Sequence, residues 1–412
     1  MFIKLARPGS FALGVGLPWD RPLEEWPDEL LVQMPRGISR NVVRFVPGHE
    51  GDVFALKEVP ERVALREYEL LRSLRDRGQP AVEPVGFVTG RQTAEGAPLM
   101  SILITRYLDH ALPYRLLFES GDHAASGDSL LDALVDLLIR LHLCGFYWGD
   151  CSLSNTLFRR DAGRLAAYLV DAETGELHPD LSEGVRLYDV ELAQINVAGE
   201  LMDLAAGPGL PEGFDPLAVA DELGERYRWL WCELTRDEVF AATEQYRVQT
   251  RLKILNDYGF DVDELEMQTT DGGHRMVMRA KVVEAGHHKK QLHHLTGLEA
   301  EENQSRQLLN DLSRYRARLE LAEGRPIPEQ QAAIRWLHER YAPTLDAIPE
   351  ELRGRLDDPE LYFQILEHRW YLSEAQGRDV GRDAAISDYI DHVLSRLPDR
   401  PVGALQEPYP EP

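Results

Sequence analysis

Three of the polar residues in the segment 141–176 constrain most strongly what this chain can fold into, because of the order in which they occur. Asp150 and Asn155 follow a long apolar segment and lie in a stretch that predicts a loop. Asp171 comes directly after the apolar run Ala166–Val170, which is typical of a buried strand. Magnesium-assisted phosphoryl transfer needs a carboxylate that orients the attacking hydroxyl and oxygen ligands that hold the metal. The stretch therefore indicates that a loop and a strand end bring such oxygens together.

Composition and net charge limit the class of protein to which this chain can belong. The chain has 412 residues, 43% of them hydrophobic, so it can bury a core and form two or three domains. Its formal net charge of -25 opposes non-specific binding to nucleic acid, and we expect no nucleic-acid partner. Three cysteines without metal-type spacing favour a reducing compartment over a disulfide scaffold. No apolar stretch approaches the roughly 18 residues of a membrane span, so we expect a cytoplasmic protein without one.

A lysine and a glutamate in the first quarter of the chain predict an ion pair. Two β-rich runs, Val42–Val46 and Val53–Val59, flank a turn and indicate a hairpin. Alternation along the second run places Lys57 in an otherwise apolar row. The next segment predicts a helix that ends at Gly78 and carries Glu67 on its apolar stripe. Taken alone, Lys57 and Glu67 each fit a position at the edge of the apolar row, from which the charged group reaches water. Because a carboxylate on a core face is costly unless paired, we expect the two to meet.

Four short motifs occur along the chain in the order found in kinases. They are Ala55-Leu56-Lys57, Glu67 in E-x-x-L-L, L-H-x-x-G followed by G-D-x-x-x-x-N at Gly149–Asn155, and L-V-D ending at Asp171. This ordered set resembles the protein-kinase-like superfamily over roughly residues 30–210. It is closest in kind to lipopolysaccharide (Kdo) kinases, RIO-type kinases and aminoglycoside or choline phosphotransferases. The whole chain also resembles an actinobacterial family of unknown function with a kinase-like N-terminal half.

The resemblance implies a magnesium-assisted transfer of a phosphoryl group from ATP. In such a site Asp150 accepts the proton of the substrate hydroxyl or orients that hydroxyl. Asn155 and Asp171 are the implied ligands of Mg²⁺, and Glu173 is a further candidate ligand. Asp203, in the motif M-D-L-A-A-G, resembles a structural aspartate that braces the catalytic loop from the following helix.

The same resemblance places a set of residues around ATP. Lys57 is expected to hold the α- and β-phosphates, and Glu67 is expected to orient Lys57. The hinge beside the adenine is expected at Arg106–Leu108, and the nucleotide loop at Pro35–Asn41. The residues implied in ATP binding are Lys57, Glu67, Gly37, Ser39, Arg106 and Leu108.

The sequence departs from the kinase pattern in three places. Trp148 stands where the catalytic loop usually has a histidine, so we expect its ring to pack without making the histidine's hydrogen bonds. Gly37 is the only glycine of the nucleotide loop, and no A-P-E motif follows Asp171. We therefore expect an atypical ATP- and Mg²⁺-dependent phosphotransferase that acts on an unidentified hydroxyl-bearing small molecule, glycan or protein. The alternative is a catalytically degenerate pseudokinase that acts as a nucleotide-binding scaffold through its C-terminal domain.

The predicted fold class is α+β, with a two-lobed protein-kinase-like fold followed by a mainly helical C-terminal domain that contains one β-hairpin. The hairpin is expected to turn at Asp271–Gly273. The dense Pro and Gly of Pro208–Pro216 predict the domain boundary. The predicted segments are an N-terminal extension (1–36), a kinase-like domain (37–207, with a small lobe 37–108 and a large lobe 109–207), a C-terminal domain (217–397) and a disordered tail (398–412).

A histidine-rich segment of the C-terminal domain has three interpretations. It is a metal site if His287 or His288 shares a helical face with His294. It is an anion-binding patch if the neighbouring Lys289 and Lys290 act with the histidines. Otherwise it is a solvated polar helix or turn. We expect the C-terminal domain to shape the acceptor site, to dock a protein partner or to regulate the kinase-like domain.

Overall fold

The computed structural model describes residues 1–5, 16–34, 40–48, 52–119, 127–207, 214–236, 238–241, 250, 260–270 and 275–397. Contacts divide the chain into two compact units. The first contains Met1–Arg159 and Ala167–Arg228, and the second contains Arg160–Ala166 and Trp229–Arg400. Most of the predicted boundary Pro208–Pro216 and the whole tail 398–412 lie outside the described residues. Within the described ranges, no helix is both long and apolar enough to span a lipid bilayer.

An antiparallel five-stranded sheet carries Lys57. Its strands are β1 (Phe2–Leu5), β2 (Val43–Pro47), β3 (Val53–Val59), β4 (Pro84–Thr89) and β5 (Ser101–Arg106), in the spatial order β1-β4-β5-β3-β2. The predicted hairpin is present as the pairing of β2 with β3. Phe54 and Leu56 of β3 point into the core, so alternation turns Lys57 to the other face.

The helix α1 (Glu61–Asp76) follows β3 after Pro60, whose ring is compatible with a helix start. Its buried face includes Ala64, Leu71 and Leu74, and Glu67 lies on the same face. The chain leaves this helix at Gly78 with φ +68°, a conformation that glycine adopts without strain. Lys57 and Glu67 come from consecutive elements and therefore lie on the same side of the sheet.

Within the segment 1–36, expected as an extension, described residues contribute to the core of the first unit. Phe2–Leu5 forms an edge strand that pairs with β4. Trp19, Leu23 and Trp26 pack in the same hydrophobic cluster as Phe54 of β3. Two short 3-10 helices, Leu23–Glu25 and Asp28–Leu30, lead toward β2.

A buried arginine fixes this N-terminal segment to the sheet. Arg91 donates from Nε to the carbonyl of Trp19 (3.0 Å) and from Nη2 to the carbonyl of Arg21. Its Nη1 forms an ion pair with Glu58 at 2.6 Å. A buried guanidinium must be paired, and these contacts satisfy it. The segment is thus held by a specific polar anchor as well as by apolar packing.

The remainder of the first unit is mainly helical. The elements along this part of the chain are α2 (Tyr114–Glu119), α3 (Gly127–Leu143), β6 (Phe146–Tyr147), β7 (Thr156–Asp161), β8 (Arg164–Leu169), β9 (Glu176–Leu177), α4 (Glu183–Ala205) and α5 (Pro216–Thr235). Residues 160–166 of β7 and β8 and residues 229–235 of α5 belong to the second unit. Strand β6 pairs with β9, and β7 pairs with β8. After Glu176 the sequence predicts an irregular segment and a short helix, but α4 is a single helix of 23 residues. Ser182 caps it by accepting a hydrogen bond from the Val185 N–H.

The second unit combines a small sheet with helices. Its strands are β10 (Glu238–Ala241), β11 (Phe260–Thr270) and β12 (Arg275–Ala285), in the order β10-β12-β11. The predicted hairpin is present as β11 and β12, and β10 adds a third strand. The helices are α6 (His287–Thr296), α7 (Glu302–Glu323), α8 (Glu329–Trp336), a π turn (Leu337–Tyr341), α9 (Ala342–Asp346), α10 (Asp358–Gln376) and α11 (Arg382–His392), with 3-10 helices at Glu350–Leu352 and Leu394–Arg396. The predicted α+β class, with a mainly helical C-terminal region, is confirmed.

Candidate functional site

Lys57 of β3 and Glu67 of α1 form the predicted ion pair. The Lys57 ammonium lies 3.0 Å from Oε2 and 3.2 Å from Oε1 of Glu67. Only 1% of the Glu67 side chain is exposed, so its charge depends on this partner. The cause of the pairing is therefore the one inferred from the sequence. Glu67 lies on the buried stripe of a helix, where its carboxylate needs a partner.

Lys57 also contacts the carboxylates that follow β8. Its Nζ lies 2.6 Å from Oδ2 of Asp171 and 3.8 Å from Oε2 of Glu173. Three carboxylates thus face one ammonium. Burial, followed by the charge of Asp171, raises the pKa of Glu67 to about 8. Burial alone would lower the pKa of Lys57, but the carboxylates of Glu67 and Asp171 outweigh it and raise that pKa. The cluster therefore carries excess negative charge.

Asp150 is held by two amide groups in the loop after β6. Asn155 Nδ2 donates to the Asp150 carbonyl (2.9 Å) and to its Oδ2 (3.1 Å). Asn196 Nδ2, from α4, donates to Asp150 Oδ1 at 3.1 Å. The Val170 N–H donates to the Asn155 carbonyl at 3.0 Å, which fixes the loop beside the residue that precedes Asp171. The carboxylate of Asp150 is therefore oriented from both sides.

A fully buried aspartate of α4 braces this loop. Asp189 accepts hydrogen bonds from the backbone N–H of Trp148 (2.7 Å) and of Gly149 (2.8 Å), and its side chain is 0% exposed. The expected brace, Asp203, lies on the exposed side of the same helix, so that expectation is wrong. Gly149 adopts φ +74°, which presents its N–H to the carboxylate without steric cost.

The brace continues through a buried chain of polar groups. His142 Nε2 lies 3.0 Å from Asp189 Oδ2, and His142 Nδ1 lies 2.7 Å from the Tyr227 hydroxyl. Arg186 Nη1 donates to the same hydroxyl at 3.2 Å. Burial lowers the pKa of His142, which favours the neutral ring. Because a carboxylate only accepts, the ring proton sits on Nε2 and Nδ1 accepts from Tyr227. Tyr227 of α5 thus supports Asp189 through the imidazole.

One face of α4 therefore organises the loop, and the sequence interpretation missed it. Glu200 accepts hydrogen bonds from the N–H groups of Leu153 (2.7 Å) and Ser154 (3.0 Å). Asp189, Asn196 and Glu200 recur at helical spacing on that face. The available signal was a carboxylate in register with a buried apolar stripe, the same signal that identified Glu67.

Trp148 makes a specific hydrogen bond as well as packing. Its ring is fully buried, and its indole Nε1 donates to the carbonyl of Asp171 at 2.9 Å. Its own carbonyl accepts a hydrogen bond from the Thr174 hydroxyl at 2.7 Å. The ring packs as expected, and its indole N–H makes a hydrogen bond of its own, because this group is a hydrogen-bond donor. Trp148 links the Asp150 loop to the Asp171 strand end.

The structure describes only some of the residues expected around ATP. Arg106 ends β5 opposite Phe54, and its guanidinium forms an exposed ion pair with Asp52 at 2.6 Å. Leu108 follows two residues later in the segment expected as the hinge. Gly37 and Ser39 lie outside the described residues.

The histidine-rich segment forms α6 and is engaged in ion pairs. His288 Nδ1 lies 2.7 Å from Oε1 of Glu302, and Lys289 Nζ lies 2.5 Å from Oε2 of Glu301. Among the residues that the structure describes, no three His, Cys, Asp or Glu side chains are grouped for a metal ion. The contacts favour the interpretation as a polar helix with local ion pairs.

Two family models match the chain. The model described as "Lipopolysaccharide kinase (Kdo/WaaP) family" matches residues 51–183, and the one described as "Domain of unknown function (DUF4032)" matches residues 229–394. The first range runs from before Lys57 to beyond Glu173. None of the curated proteins matches the chain. The predicted resemblance, kinase-like in the N-terminal half and of unknown function in the C-terminal part, is confirmed.

Solved structures show weak similarity. "WaaP in complex with acyl carrier protein" has a TM-score of 0.35 and 14% sequence identity, and the match covers 63% of this chain and 99% of that chain. "Crystal structure of Rad53 kinase domain and SCD2" has a TM-score of 0.26 and 15% identity, covering 33% and 49%. Residues 51–183 are thus similar to the lipopolysaccharide kinase (Kdo/WaaP) family, and residues 229–394 are similar to the domain of unknown function DUF4032.

Proposed function

We propose that this protein is an atypical ATP- and Mg²⁺-dependent phosphotransferase that transfers a phosphoryl group to a hydroxyl-bearing acceptor. The observation that carries the proposal is the position of Lys57, whose ammonium bridges Glu67 (3.0 Å) and Asp171 (2.6 Å). A lysine fixed by a buried carboxylate, next to a second carboxylate at a strand end, suits the binding of phosphates and a metal ion side by side.

The donor set near Asp171 fits a magnesium ion. Mg²⁺ prefers oxygen ligands and is usually held by one or two carboxylates together with substrate phosphates. Asp171 and Glu173 supply carboxylates, and among the described residues nothing donates to Asn155 Oδ1. Glu67, with a pKa of about 8, is mostly protonated near neutral pH, so Asp171, Glu173 and Lys57 leave a net charge of about -1, which a divalent cation offsets. Asn155 and Asp171 would therefore hold the ion, with Glu173 as a further ligand.

The protein's contribution to the reaction is positioning and charge stabilisation. When bound, Mg²⁺ and ATP supply the transferable phosphoryl group and neutralise its developing charge. Lys57 holds phosphate oxygens, and Glu67 keeps that ammonium in place. Asp150 accepts a hydrogen bond from the acceptor hydroxyl and takes its proton, while Asn155 and Asn196 fix the carboxylate's orientation. The segment Arg106–Leu108 would hold the adenine.

The acceptor is a hydroxyl on a small molecule, a glycan or a protein. The C-terminal domain shapes the acceptor site, docks a protein partner or regulates the reaction. None of these three roles follows from the kinase-like site, so they are tested after the nucleotide chemistry.

Binding of ATP tests the first half of the proposal. Replacing Lys57 with methionine keeps the length of the side chain but removes the ammonium that holds phosphates. We expect Lys57→Met to weaken the binding of ATP with Mg²⁺ by about tenfold or more, the worth of one charge-assisted hydrogen bond. Isothermal titration calorimetry of the full chain, with circular dichroism to check the fold, measures this loss.

The matched control is Lys4→Met in the same sheet. Lys4 forms an exposed ion pair with Glu69 at 3.2 Å, and exposed pairs contribute little. Its loss should leave the affinity for ATP unchanged. Equal affinities of wild type and Lys57→Met would show that ATP is held elsewhere.

A further inference from the structure

Four arginines converge on one cleft of the second unit, far along the chain from the residues discussed above. They come from four separate elements: Arg318 from α7, Arg340 from the π turn, Arg369 from α10 and Arg382 from α11. We call the group the arginine cleft. Its cavity of about 40 Å³ is lined by Asp311, Tyr315, Arg318, Arg340, Thr344, Tyr362, Ile365, Leu366, Arg369 and Arg382.

The charge of the arginine cleft is unusual for this protein. The whole chain carries a net charge of -25, yet four cations line the cavity against one carboxylate, Asp311. Neutral donors hold that carboxylate, because Trp336 Nε1 (2.7 Å) and the Tyr362 hydroxyl (2.9 Å) both donate to its Oδ2. Asp379 and Asp383, which lie outside this lining, pair with two of the four arginines, so the excess positive charge that favours an anion comes from Arg318 and Arg340.

Two of the four arginines are available for a ligand. Asp379 holds Arg369 at 2.7 Å, and Asp383 lies 3.2 Å from Arg382. Arg318 and Arg340 form no salt bridge with the residues that the structure describes, although Asp379 attracts Arg318 and Glu339 attracts Arg340 at longer range. Arg340 instead lies over the ring of Tyr315, with its guanidinium carbon 5.9 Å from the ring centre. A guanidinium supported on an aromatic face keeps its donors free for an oxyanion.

A rigid aromatic cluster carries Arg340. Leu337–Tyr341 is a π turn, a widened helical turn that is rare and often found at functional sites. Its last residue, Tyr341, packs against Trp336 (ring centres 5.4 Å apart) and Tyr362 (5.0 Å apart), and all three are buried. The backbone of Arg340 is therefore fixed by its neighbour, which lowers the entropic cost of binding.

A larger surface depression shares two lining residues with the cavity. Arg340 and Arg382 also line a depression of about 540 Å³, which has the size of a small-molecule site. Its two carboxylates are already paired, since Glu339 lies 3.0 Å from Arg335 and Asp383 contacts Arg382. The inner cavity has room for about three waters or one small oxyanion. An anionic group thus fits inside, with the body of the ligand outside.

We propose that the arginine cleft binds a small phosphorylated molecule, with the phosphate between Arg318 and Arg340. Carboxylate and phosphate both match the fork of donors on arginine, and the charge of a phosphate, about -2, matches the two cations Arg318 and Arg340. The remainder of the ligand occupies the outer depression. This site is separate from the ATP site proposed above and does not depend on it.

Titration calorimetry of the full chain tests the proposal, with inorganic phosphate and ribose 5-phosphate as probes. We expect wild type to bind both, and ribose 5-phosphate more tightly because it also fills the depression. Arg340→Gln should weaken both by about tenfold or more, the worth of one charge-assisted bond. Arg378→Gln, at an exposed arginine that does not line the cleft, should change neither affinity.

A third variant separates this site from the kinase-like site. Lys57→Met should leave the binding of inorganic phosphate unchanged if the phosphate binds in the arginine cleft. The unfolding midpoint without phosphate checks that Arg340→Gln folds like wild type. The proposal is overturned if wild type binds neither probe, if Lys57→Met abolishes the binding, or if Arg340→Gln binds as tightly as wild type. Equal affinity for the two probes would contradict the role of the outer depression.

Discussion

Replacing Asp189 with asparagine should lower the free energy of unfolding by about 3 kcal/mol and turnover by about 100-fold. Asparagine has the same shape, but one of its oxygens becomes an NH₂ group. That group would face the N–H of Trp148 or Gly149, or the Nε2–H of His142, all of which donate to Asp189. A buried donor would then lose its acceptor, and the Asp150 loop would shift. Urea unfolding and ATP turnover measure the two effects.

Asp203 provides the matched control on the same helix. Asp203→Asn makes the same chemical change at an exposed position and should alter stability by less than about 0.5 kcal/mol. The pair of variants also decides between the brace expected from the sequence and the brace found in the structure. Equal stability and turnover of the two variants would contradict the role assigned to Asp189.

Replacing Asp150 with asparagine should reduce phosphoryl transfer by about 100-fold to 10,000-fold, the usual contribution of a positioned base. The variant cannot take the proton of the acceptor hydroxyl. Asn155 and Asn196 donate to the two carboxylate oxygens, so one of these hydrogen bonds is also lost. ATP affinity should stay within a factor of about three, because Lys57 and Asp171 are unchanged. Single-turnover kinetics with labelled ATP measure the rate directly.

Asp180→Asn is the control for this change, because Asp180 is exposed and lies outside the site. It should turn over ATP like wild type. If Asp150→Asn lost affinity for ATP in proportion to its rate, the carboxylate would act in binding and its assignment as the base would be wrong.

The Lys57–Glu67 pair could be predicted because its signal is local. A lysine alternates into an apolar row, a glutamate falls on a buried helical stripe, and the two elements are consecutive. Burial without a partner is costly for each, so pairing is the simplest solution. The order of Asp150, Asn155 and Asp171 was informative for the same reason, since helix, loop and strand follow one another.

The features that could not be predicted depend on distant contacts. β1 pairs with β4 more than 80 positions later, and no local pattern specifies that register. Asp189 was overlooked because the sequence predicts only a short helix in this region, whereas α4 already begins at Glu183. The buried stripe that Asp189 shares with Ala193 and Val197 was therefore hidden. The hydrogen bond from Trp148 to the Asp171 carbonyl depends on how two segments are folded together, which residue type alone does not reveal.

The most direct test of the central claim is ATP consumption by the full chain, followed with γ-labelled ATP in Mg²⁺ or Mn²⁺. Asp171→Asn is the matched variant, because it keeps the shape of the side chain but removes the carboxylate that contacts Lys57. We predict metal-dependent release or transfer of label by wild type and only background with Asp171→Asn. If wild type binds ATP but consumes no more of it than Asp171→Asn does in either metal, the proposal of an active phosphotransferase is contradicted. That result would favour a nucleotide-binding scaffold.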